Sequence, residues 1–97
     1  MTHDIDESVI TKSIKHYGAE IQSTVCMEEC AELIQAVSKL KREYDDIPAD
    51  GLNHLSEEIA DVLICIEMLK QIYNIPDYSI GNWIERKQKR MINRMEK

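Results

Sequence analysis

Apolar residues recur along this chain at intervals of three and four, the spacing of helices that bury one face. Four segments carry the pattern. The first is predicted over about residues 5–17, where Val9, Ile10, Ile14 and Tyr17 share a side and Gly18 supplies a stop. The second runs over about 20–44, with Cys26, Cys30, Leu33, Val37, Leu40 and Tyr44 as its stripe. Asp45-Asp46-Ile47-Pro48-Ala49-Asp50-Gly51 reads as a loop, because proline and glycine both break helices. The third runs over about 53–74. Asn53 is its expected cap, with Glu57 and Glu58 near its positive end. Leu55, Ile59, Val62, Leu63, Ile66, Leu69 and Tyr73 form its expected buried face. Asn74-Ile75-Pro76-Asp77 is the next break. A fourth segment over about 79–95 sets Ile80, Ile84, Met91 and Met95 on one side. No stretch reads as a strand, a repeat or low complexity. The expected fold is all-α with four helices, the second and third packed as an antiparallel hairpin.

At 97 residues the chain is read as one domain, 1–97, or one subunit of a larger assembly. Three glycines and two prolines are too few for the tight turns of a β-sandwich. Charge divides by region. Residues 1–82 hold 16 acids and 6 bases, and residues 83–97 hold 2 acids and 6 bases. An acidic body disfavours nucleic-acid binding. An acidic body with a basic end suits a site that holds a cation on one side and phosphate on the other. The start of the chain lacks a basic region followed by an apolar stretch, and the run Val62-Leu63-Ile64-Cys65-Ile66 is too short to span a bilayer. Three cysteines cannot all pair and fit no zinc spacing, so reduced thiols in a cytoplasmic protein are expected.

The informative residues are acids beside the apolar stripes. Glu29 lies roughly 60° around the helix from the line of Cys26 and Val37, and Glu32 is its neighbour one turn on. In the third segment Glu58 and Asp61 repeat the arrangement beside Val62 and Leu69. An antiparallel hairpin would bring a Glu-x-x-Glu pair against a Glu-x-x-Asp pair. Four carboxylates at such a seam repel one another, and desolvation worsens this. Protons, arginines or a divalent cation must neutralise them. An all-oxygen ligand set selects a hard cation, Mg²⁺ or Mn²⁺. The bland alternative is a solvated face with helix-pair charges.

Glu28-Glu29-Cys30-Ala31-Glu32-Leu33, and Glu58-Ile59-Ala60-Asp61-Val62-Leu63 with a 25-residue gap between Glu32 and Glu58, resemble the EExxE…ExxD signature of MazG-like nucleotide pyrophosphohydrolases. These belong to the all-α NTP pyrophosphatase superfamily. The resemblance covers about residues 20–95. It implies cleavage of a nucleoside triphosphate between the α and β phosphates, to a monophosphate and pyrophosphate, in nucleotide-pool house-cleaning. It implies Mg²⁺ held by Glu29, Glu32, Glu58 and Asp61, with Glu28 supporting the site from behind. It also implies a homodimer or homotetramer.

Trp83, Lys87, Arg90 and Arg94 share a face of the fourth segment and are candidates for phosphate and base contacts. The alternative is a solvated basic end with Trp83 in the core or at a subunit contact. Gln22, seven residues before Glu29, and Lys39, seven after Glu32, are further substrate-binding candidates; each also reads as a plain surface residue. His54 reads as solvated or capping, and Cys26 and Cys30 as core. Two other functions compete: a phosphoribosyl-ATP pyrophosphohydrolase, and a helical oligomerisation module without activity. A di-iron bundle would need Glu-x-x-His pairs, and Glu32 and Asp61 stand where those histidines would be.

Overall fold

The computed structural model describes residues 4–96, and among them every regular element is a helix. They are α1 (Glu7–Tyr17), α2 (Ala19–Arg42), α3 (Ala49–Ile72) and α4 (Asp77–Met95). Helices α2 and α3 form the long antiparallel hairpin, and α1 packs across both. Among the described residues there are four helices, as the periodicity predicts.

Helices α3 and α4 start earlier than the sequence expectation, both at proline, while α1 begins at Glu7 and α2 and α3 end at Arg42 and Ile72, inside the expected ranges. Helix α3 begins at Ala49, so Asp50 and Gly51 are helical and Asn53 is not the cap. Pro48 stands at the cap with φ −69°, and its carbonyl accepts from the Gly51 and Leu52 N–H groups. Proline's fixed φ and missing N–H suit a helix start, so here it opens a helix instead of ending one. Gly51 is tolerated because the hairpin closes tightly there. A Cβ on it would lie 3.3 Å from Leu40 Cδ2. Pro76 likewise opens α4 at Asp77. Between α3 and α4, Asn74 takes φ 53° and the Ile75 N–H donates to the Lys70 carbonyl at 2.9 Å, a helix-ending turn.

The buried faces are also rotated from the expected stripes. The α2 positions that face inward are Gln22, Cys26, Glu29, Leu33, Ala36 and Leu40, alternately four and three apart. On α3 they are Gly51, Leu55, Glu58, Val62, Cys65, Leu69 and Ile72, with the same alternation, and Met68 beside them is buried toward α1. That is the a/d register of two helices packed at a shallow angle. Cys30 and Val37 on α2, Ile59 and Ile66 on α3, and Tyr44 and Tyr73 just past the ends of these helices are exposed instead. The same holds for Val9 and Tyr17 of α1.

The core is compact and sits at one end of the hairpin. Ile10 of α1 packs with Cys26, Cys65 and Met68, with Ile5, Ile14, Leu69 and Ile72 around them. The Cys26 thiol donates to the Cys65 carbonyl across the seam. Burial pushes the Cys65 thiol up to about 12, so both buried cysteines behave as small apolar residues. The Thr11 hydroxyl and the Gln71 side chain pin α1 to α3, at 2.8 Å to each other and 3.2 Å from Gln71 Nε2 to the Glu7 carbonyl.

Helix α4 buries none of its residues and makes no comparable contact with the other three. Its start is tethered by Lys70, whose ammonium pairs with Glu67 on α3 and Asp77 on α4. Trp83, Ile84, Met91, Ile92 and Met95 are all at least half exposed or close to it. No described helix is long and apolar enough to cross a membrane.

Candidate functional site

The hairpin register explains why the acids meet. Glu29 and Glu58 occupy inward positions of the seam itself, where the neighbouring register positions are Cys26, Leu33, Leu55 and Val62. Glu32 and Asp61 follow one turn later on each helix and stand on the same flank. The four side chains each bring a carboxylate oxygen to within 4.8 Å of the others. Glu58 is 4% exposed, which is rare for an acid without a partner. Glu29 Oε2 and Glu58 Oε2 are both buried with no hydrogen-bond partner. The nearest basic side chain is His54, one turn before Glu58, with Nε2 3.7 Å from Glu58 Oε1. That separation is too long for a hydrogen bond.

The electrostatics follow from that crowding. Burial pushes the Glu29 carboxyl up to about 7, helped by a hydrogen bond with Asp61 and by the charges of Asp61, Glu32 and Glu58. Burial also raises Glu58, and Glu32, Asp61 and Glu57 push the same way while His54 opposes them. The cluster is thus a site that resists full ionisation unless positive charge arrives. Buried oxygens without donors and an all-oxygen ligand set both fit a hard divalent cation.

A model of the MazG nucleotide pyrophosphohydrolase domain matches residues 19–97. The chain belongs to that family. Searches among curated proteins and among solved structures give no match. The MazG match takes in α2, α3 and α4 with all four acids, and α1 precedes it. A MazG domain is a metal-dependent pyrophosphohydrolase module, and the acidic cluster is where this one can hold a metal.

The other sequence candidates of this MazG chain scatter. Glu28 is exposed and outside the cluster. Gln22 is neither a surface residue nor at an open site: it is 6% exposed, inside the seam. Trp83, Lys87, Arg90 and Arg94 ride on α4, which does not pack against the acids. Trp83 is half exposed under the Arg86 guanidinium, 5.2 Å from its ring centre, and is not in the core. Lys39 does border the site. It lines a trough of about 440 Å³ with Glu32, Gln35, Ala36, His54 and Glu58. Gln35 escaped the sequence reading, although it stands three residues after Glu32 and so on the same flank. His54 is solvent-accessible as expected, but it faces the cluster and caps nothing.

Proposed function

We propose that this MazG domain hydrolyses nucleoside triphosphates to the monophosphate and pyrophosphate at the four-carboxylate cluster, in nucleotide-pool house-cleaning. The observation that carries the reading is the pair of buried, unpartnered oxygens of Glu29 and Glu58 converging with Glu32 and Asp61. Such an arrangement is costly unless the acids are there to hold a cation. Mg²⁺ is the cation the ligand set suits, with Mn²⁺ as a substitute. When bound it offsets phosphate charge and makes the attacking water more acidic. Glu29, Glu32, Glu58 and Asp61 would hold it, and one of the four would accept the proton that the water gives up. One water is consumed, the α–β anhydride bond breaks, and no protein nucleophile takes part.

The same reading includes a homodimer or homotetramer. The chain exposes 7964 Å², against roughly 5,700 Å² for a compact monomer of this mass. Its radius of gyration is 16.3 Å, against about 12.5 Å for a compact chain of this length. The excess lies on α4 and on the outer apolar positions Ile34, Val37, Ile59 and Ile66. A second copy is the natural cover for that surface, because an exposed apolar face of this extent marks an interface.

The test is pyrophosphate release from a panel of ribo- and deoxynucleoside triphosphates and a phosphoribosyl nucleotide, with Mg²⁺ and with chelator. Glu32→Gln should lower the Mg²⁺-dependent rate by at least about a hundredfold. Release that persists in chelator or in the variant would refute the reading.

A further inference from the structure

The groove between α2 and α3 continues beyond the acids. The trough beside Glu32 and Glu58 has Gln35, Lys39 and His54 as its remaining polar wall. A second cavity of about 500 Å³ shares Ala36, Lys39 and His54 with it and extends to Pro48, Asp50 and Gly51 at the hairpin turn. In the opposite direction the seam is closed by Cys26, Cys65 and Met68, all buried. An extended ligand anchored at the acids therefore has room on the side of Lys39.

The wall on that side is made of donors. Glu32, Gln35 and Lys39 follow one another along a single flank of α2, and His54 stands across the groove on α3. Lys39 makes no ion pair among the described residues, so its ammonium is free for an anion. Its stem lies at the groove while its charge is in solvent, a geometry that costs little to reorganise. The basic residues of α4 offer no such wall within the chain, since α4 does not pack beside the acids. Asp50, an acid at the far end of the second cavity, bounds the stretch that Lys39 serves.

We infer that Gln35, Lys39 and His54 seat the pyrophosphate half of the substrate. The inference rests on the triphosphate reading above and adds a direction to it. The reacting phosphate lies over the four carboxylates, and the β and γ phosphates point toward the α2–α3 turn. Lys39 supplies a point charge, and His54 and Gln35 supply N–H donors to the phosphate oxygens. These three are binding residues for the leaving half and take no proton in the reaction.

The experiment is calorimetric titration of inorganic pyrophosphate, and separately of a nucleoside monophosphate, into the full chain with Mg²⁺ present. Wild type is compared with Lys39→Met, Gln35→Ala and His54→Ala. Lys39→Met should weaken pyrophosphate about tenfold, the equivalent of about 1.4 kcal/mol, and leave the monophosphate unchanged. The other two should weaken it by smaller factors. Steady-state KM for the triphosphate should rise in the same order. Lys39 and His54 are exposed, so the variants keep their fold, which a melting curve and an intact Mg²⁺-induced shift verify. Equal pyrophosphate affinity in wild type and Lys39→Met overturns the seat, as does wild type that binds no pyrophosphate. Hydrolysis by a wild type whose Lys39→Met variant is unaltered sinks the seat and leaves the reaction standing. Lys39-dependent pyrophosphate binding without any triphosphate hydrolysis supports the seat and sinks the reaction.

Discussion

Replacing Glu29 with glutamine should stabilise the metal-free protein in alkaline solution and destabilise the Mg²⁺-loaded one. Glu29 sits in the seam with three other carboxylates, all four within 4.8 Å. Two unit charges at that separation repel by about 3.5 kcal/mol at an effective dielectric near 20. The site is partly open to water and salt, so a net gain of about 1 kcal/mol is the sounder expectation, or roughly 4–8 °C in Tm. The effect must depend on pH. Free glutamate titrates at 4.5, and folded Glu29 at about 7. Below the lower value both states carry the proton. Between the two, only the folded state does, so folding takes up a proton and stability falls as pH rises through the window. At about pH 5.5 folded Glu29 is already neutral and the amide should change little. At about pH 8.5 the carboxylate is charged and the amide should raise Tm. Millimolar Mg²⁺ should reverse the order, because wild type has the complete ligand set. A cation at a hundred times its Kd adds about 2.7 kcal/mol, a shift on the order of 10 °C. Scanning calorimetry of both proteins at the two pH values, in chelator and in Mg²⁺, reads all of this. A variant that melts below wild type in chelator at the higher pH would refute the reasoning, as would a wild type indifferent to Mg²⁺.

Other consequences are checked as simply. Mg²⁺ affinity measured by titration should climb as pH rises through about 7, because Glu29 must release its proton to bind. Met68→Ala removes a side chain packed against Ile10, Cys26 and Cys65 and should cost about 2–5 kcal/mol in chemical denaturation. Gly18 joins α1 to α2 at φ 93° and ψ 149°, a backbone conformation other residues avoid, so Gly18→Ala should cost about 1–3 kcal/mol although nothing crowds its Cβ. Light scattering should give at least twice the 11.3 kDa of one chain, and a monomer mass would remove the proposed assembly.

Much of this was readable in the chain. Helix spacing located four helices, and two Glu/Asp pairs a hairpin apart located the cluster. What the helical stripes concealed was the register. Cys30 and Val37 look as apolar as Cys26 and Leu33, and a stripe drawn through all of them leaves Glu29 at its edge. The seam instead follows a strict alternation of four and three, and that alternation passes through Glu29 and Glu58. Several of the apolar residues it leaves out, Val37, Ile59 and Ile66 among them, are exposed, which suits surfaces awaiting a partner. The prolines misled for a related reason: a helix breaker in the middle of a helix is a helix opener at its start, and sequence alone does not say where the start is. Trp83, Lys87, Arg90 and Arg94 do lie on one helix, but periodicity within one helix carries no information about where that helix points.

Placing acids within an otherwise apolar seam also shapes how the hairpin moves. Paired helices ordinarily loosen from their ends inward. Here the join is firm near the core, where α1 clamps it, and firm again near Gly51, where the helices touch closely. Between them lies a stretch whose two sides push apart until a cation draws them together. Amide exchange in the metal-free state should therefore be fastest near the middle of α2 and α3, like a seam stitched at both ends and open in between, and a divalent ion acts as the missing stitch.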